Sequence, residues 1–128
     1  MRPSPPPSFH AEFARVAATE RELLNSYTAA SADFKAGRID DPAFADIIER
    51  EVLEPYTDIR REVEALKARP DADREFLVQV SGFTALRSEG WRLLVEALRE
   101  QDHEKLRRHE EKMDEAMAIA RGLMKQGQ

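Results

Sequence analysis

Cysteine is absent from this chain. That removes disulfides, thiolate metal sites and cysteine nucleophiles together. Glycine is scarce, five in 128 residues, and aromatic residues make up only 7%. So few turn formers leave little scope for a many-stranded sheet and favour long helices. No apolar run approaches the roughly 20 residues that a membrane-crossing helix needs, so direct membrane insertion is not expected. The opening Met1-Arg2-Pro3-Ser4-Pro5-Pro6-Pro7 lacks the apolar centre of a secretory signal, and the expected location is cytoplasmic. Surplus positive charge is missing as well. Twenty Lys and Arg against 25 Asp and Glu give a formal charge of −5, which argues against a nucleic-acid or anionic-membrane partner.

What the chain does have is periodicity. Hydrophobic residues make up 41% and charged residues 35%, the mixture of helices with one buried and one solvated face. Phe9, Phe13, Val16, Leu23, Tyr27 and Phe34, with Glu20 and Ala30 in the gaps, alternate in steps of four and three. That rhythm is a single stripe along one helix over about 8–36. Ser8 is its expected cap and Gly37 its left-handed stop. Residues 1–7 read as an extended tail, since four prolines fix φ and remove amide donors. Pro3 and Pro6 have PxxP spacing, but Arg2 is not placed as the usual basic flank.

Asp41-Pro42 predicts a second helix over 42–68, with Asp41 as cap and proline at the first helical position. Its stripe is Phe44, Ile48, Val52, Ile59, Val63 and Leu66. Pro55 falls inside it, so the helix must kink or break there, and the unbroken apolar phase favours a kink. Arg69-Pro70 ends this segment. Asp71 or Asp73 caps a third helix over 72–100, with Phe76, Val80, Phe83, Leu86, Trp91, Leu94 and Leu98 on its apolar side. Asp102 caps a fourth over 103–125, carrying Leu106, Met113, Met117, Ala120 and Met124, widened by Ile119 and Leu123. Short joins between long helices force antiparallel neighbours. The expected fold is therefore all-α, an antiparallel up-down-up-down four-helix bundle spanning 8–126. An alternative closes three helices and lends the fourth, rich in alanine and methionine, to a second chain.

Candidate chemistry is sparse. Di-metal bundles need a Glu-x-x-His pair on each of two helices. Glu100-Gln101-Asp102-His103 matches once and straddles a turn, while His10 and His103 belong at opposite ends of the bundle. His109 lies six residues beyond His103, on another side of the helix. No metal, cofactor or catalytic residue is assigned. None of the serines Ser4, Ser8, Ser26, Ser31, Ser81 and Ser88 sits in a nucleophile-elbow context. The run Lys105-Leu106-Arg107-Arg108-His109 is interrupted by Glu104, Glu110 and Glu111 and reads as a solvated face, with Glu104 and Arg108 paired four apart.

Two irregularities remain. Glu20 occupies a stripe position, Arg87 sits beside the stripe of the third helix, and Glu110 or His109 falls at a similar height. They form a candidate buried polar layer, or else each rotates outward and snorkels to water. Gly82, Gly90 and Trp91 mark either a close helix–helix approach or a small apolar pocket.

The stretches Phe34-Lys35-Ala36-Gly37-Arg38-Ile39, Asp41-Pro42-Ala43-Phe44-Ala45, Glu49 to Pro55 and Glu89-Gly90-Trp91 to Leu98 resemble an uncharacterised bacterial helical domain. That domain is sometimes attached to rhomboid-type intramembrane proteins, and the likeness covers about residues 20–120. The chain lacks the membrane spans and serine–histidine pair of such a protease. The resemblance implies an accessory or regulatory module and no proteolysis. The expected function is a helical protein-interaction module whose partner is another protein or, as a homo-oligomer, itself; the alternative is a bundle binding a small apolar ligand, with a metal-binding bundle behind it.

Overall fold

The structure is a computed structural model, and it describes residues 8–126. The proline-rich segment expected to be a tail lies outside the described residues. Helix α1 spans Phe9–Lys35. Ser8 caps it, its hydroxyl oxygen accepting from Ala11 N at 3.1 Å. A carboxylate clamps the same end from far away in sequence: Phe9 N donates to Asp71 Oδ2 at 2.9 Å. Asp71 is in turn held by Arg69 Nε at 2.9 Å. At the other end Gly37 takes φ +77°, and Arg38 N reaches back to Asp33 O. This is the left-handed stop that only glycine adopts without steric cost.

Helix α2 runs over 41–67 as Asp41–Ile48, a wide π-helical turn Glu49–Leu53, and Glu54–Lys67. Two expectations are corrected here. The cap is Asp40, whose carboxylate accepts from Ala43 N at 3.0 Å; Asp41 is the first helical residue and Pro42 the second. Both positions have amides without intrahelical partners, so proline costs nothing at either. The disturbance expected near Pro55 is neither a plain kink nor a break. Proline lacks an amide and clashes with the carbonyl four residues back. The turn before it takes an extra residue, and Glu54 N bonds to Glu49 O, five residues back. The wide turn also keeps Phe44, Ile48, Val52 and Tyr56, spaced four apart, all in the core.

Helix α3 spans Arg74–Glu100, and Asp73 caps it through Phe76 N at 3.1 Å. Helix α4 spans His103–Gln126, capped by Asp102, which accepts from Glu104 N and Lys105 N. Between them Gln101 adopts φ +52°, which lets α4 fold straight back along α3. The result is the antiparallel up-down-up-down four-helix bundle, with no strand among the described residues.

The core lies where α1, α2 and α3 meet. Ile48, Val52, Tyr56, Ile59, Val63, Leu77 and Trp91 are each 2% exposed or less, and burying one such aliphatic side chain stabilises by about 2 kcal/mol. α2 packs on both α1 and α3, and α4 packs on α3. One neighbouring pair departs from a closed bundle: no Cα of α1 comes within 8 Å of a Cα of α4. α1 and α3 meet through long aromatic side chains, Tyr27 on Trp91 at 4.6 Å and Phe13 on Phe76 at 4.9 Å between ring centroids. On the outside, Arg99 ties α3 to Asp46 and Glu49 of α2. Lys105 ties the start of α4 to Glu96 and Glu100. Exposed pairs of this kind contribute little each.

The Asp71 clamp predicts an acid sensitivity. The Arg69 guanidinium, and then the Phe9 amide, hold the Asp71 carboxyl down from 3.8 to about 2. A carboxyl depressed by folding adds stability above its unfolded pKa and loses it as pH falls through the folded one. Asp71→Asn is therefore expected to lower the urea midpoint at neutral pH. Its deficit against the parent should shrink between about pH 4 and pH 2. A deficit independent of pH contradicts the clamp.

Candidate functional site

Because α1 and α4 do not touch along their backbones, a seam runs the length of the bundle between them. Each wall repeats the four–three rhythm. On α1 the lining positions are Phe13, Ala17, Glu20, Leu24, Tyr27 and Ser31. On α4, Leu106, Glu110, Met113, Ala120 and Met124 line it, and Met117 completes the same spacing at 41% exposed. The floor is α3, with Phe76, Val80, Phe83, Arg87, Trp91, Leu94 and Leu98, in steps of four and three with one step of four repeated at 83–87–91. Three cavities follow one another along this seam. The first, of about 320 Å³, lies beside Phe13, Val80 and Phe83. The second, about 420 Å³, lies beside Leu24, Arg87 and Trp91. The third, about 640 Å³, lies beside Phe34, Leu98 and Leu106.

The seam stays open because α4 is drawn onto α3. A Cβ on Gly90 would stand 2.7 Å from Met113 Cε, and one on Gly82 would stand 3.7 Å from Ile119 Cδ1. Both glycines thus face α4, and Ala116 opposite them is fully buried. Small residues on both helices permit this approach, and no Cα of α4 then comes within 8 Å of a Cα of α1. Trp91, by contrast, lines the 420 Å³ cavity between α1 and α4.

Glu20, Arg87 and Glu110 all line the seam, but no ion pair joins them among the described residues. Glu20 is half-buried and its Oε2 accepts from Tyr56 Oη at 2.5 Å. Burial, reinforced by the Glu20 charge, pushes the Tyr56 phenol up, so it remains a protonated donor. Arg87 lies over the Phe83 ring at 5.1 Å, with Nη2 3.2 Å from Met117 Sδ. Its Nε is buried without a hydrogen-bond partner, and so is Trp91 Nε1. Glu110 is exposed. His109 is the buried polar group of α4 at 8% exposed; its Nδ1–H donates to Gly90 O at 2.7 Å. Burial lowers its pKa, which keeps the ring neutral. Tyr56 is the member of this cluster that periodicity missed. It follows Pro55 at the third consecutive step of four, a spacing that drifts off a regular helical stripe unless a wide turn intervenes.

The remaining candidates stay apart. Among the described residues no group of three or more His, Asp and Glu side chains could hold a metal ion. The expected Glu104–Arg108 pair does not form. Arg107 takes Glu104 and Glu111 instead, because three- and four-residue steps on its own side bring both carboxylates to one guanidinium. No helix among the described residues is long and apolar enough to cross a membrane. No family model, no curated protein and no solved structure matches the chain.

The two glycines offer a direct probe of the α3–α4 contact. Alanine in place of a helical glycine gains up to about 1 kcal/mol. Gly82→Ala is expected to show much of that gain in the thermal midpoint, while Gly90→Ala must displace Met113 and is expected to forfeit it. Equal gains at both positions would show that α4 is not held closely at Gly90.

Proposed function

We propose that the protein is a non-enzymatic docking module that receives an amphipathic helix along the α1–α4 seam. One observation carries the reading: two walls with the same four–three spacing over an apolar floor, left without a backbone neighbour between them. Such spacing forms the holes that receive the knobs of another helix. From Phe13 to Phe34 the seam is about 30 Å long, the length of a helix of three heptads. Exposed Leu106, Met117 and Met124, at 36%, 41% and 69%, lie on its α4 side. Apolar surface of this kind, rimmed by charge, is characteristic of interaction sites.

An accessory or regulatory role, and the cytoplasm as its location, belong to the same proposal. The first rests on the resemblance of the 34–55 and 89–98 stretches, the second on composition. A second reading, a small apolar ligand, is favoured by the 320 Å³ cavity, which lies within the usual size range of ligand pockets.

A fluorescein-labelled amphipathic peptide of about 21 residues, with leucine at both core heptad positions, tests the docking reading. It is expected to bind saturably, and protein carrying Met117→Glu and Met124→Glu is expected to lose it. Equal binding to both proteins, or none up to about 1 mM protein, contradicts the reading.

A further inference from the structure

Resting on that docking reading, we propose that the occupant of the seam is α4 of a second copy of this chain. The two copies form a two-fold dimer in which Arg87 of each meets Glu110 of the other. The floor specifies what an occupant must bring. Arg87 lines the middle cavity of the seam and has no carboxylate partner among the described residues. An occupant that pairs with its guanidinium carries one carboxylate within an otherwise apolar stripe.

α4 carries that pattern itself. Leu106, Glu110, Met113, Met117, Ala120 and Met124 are spaced four, three, four, three, four, with one carboxylate among them. Glu110 is exposed and has no ion pair among the described residues. The stripe of α1 also holds one carboxylate, but Glu20 is engaged by Tyr56. Asp114 also lines the cavity and is equally exposed, but it lies outside the four–three stripe. That leaves α4 as the complementary helix.

The heights agree. Arg87 Nη2 touches Met117 Sδ, so the guanidinium is level with residue 117. In an antiparallel α4–α4 pair whose axis passes near residues 113–114, Glu110 of the second copy arrives at that level. The axis repeats the contact at the other Arg87, and the charged hydrogen bond forms against the Phe83 ring with little water. Each α4 then lies between the α4 and the α1 of the other copy. The interface is isologous and closes at two.

Sedimentation equilibrium tests this with the full chain. The expected mass is twice 14.6 kDa. Met117→Glu with Met124→Glu is expected to give a monomer of unchanged helicity, because both side chains are exposed. Arg87→Gln and Glu110→Gln are each expected to weaken the dimer about tenfold or more. Arg87→Glu combined with Glu110→Arg is expected to restore it. A monomer up to about 100 µM overturns the self-pairing while leaving the docking reading to the peptide titration. A dimer indifferent to the two methionine changes places the interface elsewhere and overturns the self-pairing at the seam, again leaving the docking reading to the peptide titration. A dimer that senses the methionines but not Arg87 or Glu110 overturns the ion pair.

Discussion

The close approach of α4 to α3 decides the shape of the molecule. Gly82 and Gly90 present bare backbone toward α4, and Ala116 lies opposite with no exposed surface. Met113 fills what space remains beside Gly90. A helix seated so deeply on one neighbour has moved away from the other. The seam-facing stripe of α4, Leu106, Glu110, Met113, Met117, Ala120 and Met124, does not bring its backbone back to α1. Both glycines carry a propensity cost within α3, and at Gly90 the packing of Met113 against bare backbone offsets it.

From this follow the features of the seam. α1 fully buries only Phe9, Val16 and Ala30 of its stripe. Phe13, Leu23, Tyr27 and Phe34 are only partly covered. Tyr27 and Phe13 span the width of the core to reach Trp91 and Phe76. Polar groups collect where the cover is incomplete. Tyr56 reaches up from α2 to the Glu20 carboxylate, His109 turns its ring N–H to the Gly90 carbonyl, and Arg87 spreads over Phe83. Each of the first two satisfies a buried polar atom within the chain. Arg87 Nε and Trp91 Nε1 are buried without a hydrogen-bond partner beneath the middle of the seam.

Much of this architecture is legible in the residues themselves. Ser8, Gly37, Asp73 and Asp102 announce helix ends through local chemistry that tertiary structure leaves alone. Asp40 and Asp41 show the limit, since two adjacent carboxylates offer the same cap and only backbone geometry chooses between them. The π-helical turn is hidden for a different reason. Pro55 advertises a disturbance, but relief by one extra residue depends on keeping Val52 and Tyr56 in the same core. Tyr56 is thereby lost from any stripe counted at regular spacing, and its bond to Glu20 with it. The open seam is the least legible feature. Periodicity reports that a face is apolar, not whether a neighbour covers it, and the stripe of α4 reads the same covered or bare. The glycines at 82 and 90 are visible in sequence, but that both face α4 requires the fold.

The central claim is the separation of α1 from α4, and the absence of native cysteine makes it directly measurable. Leu24 and Met113 line the same cavity from opposite walls. A disulfide requires Cα atoms within about 7 Å, and no pair across this seam comes within 8 Å. Dilute protein carrying Leu24→Cys and Met113→Cys, exposed to a mild oxidant, should form no intramolecular disulfide. Rapid and complete intramolecular cross-linking would mean that the two helices touch and that the bundle is closed.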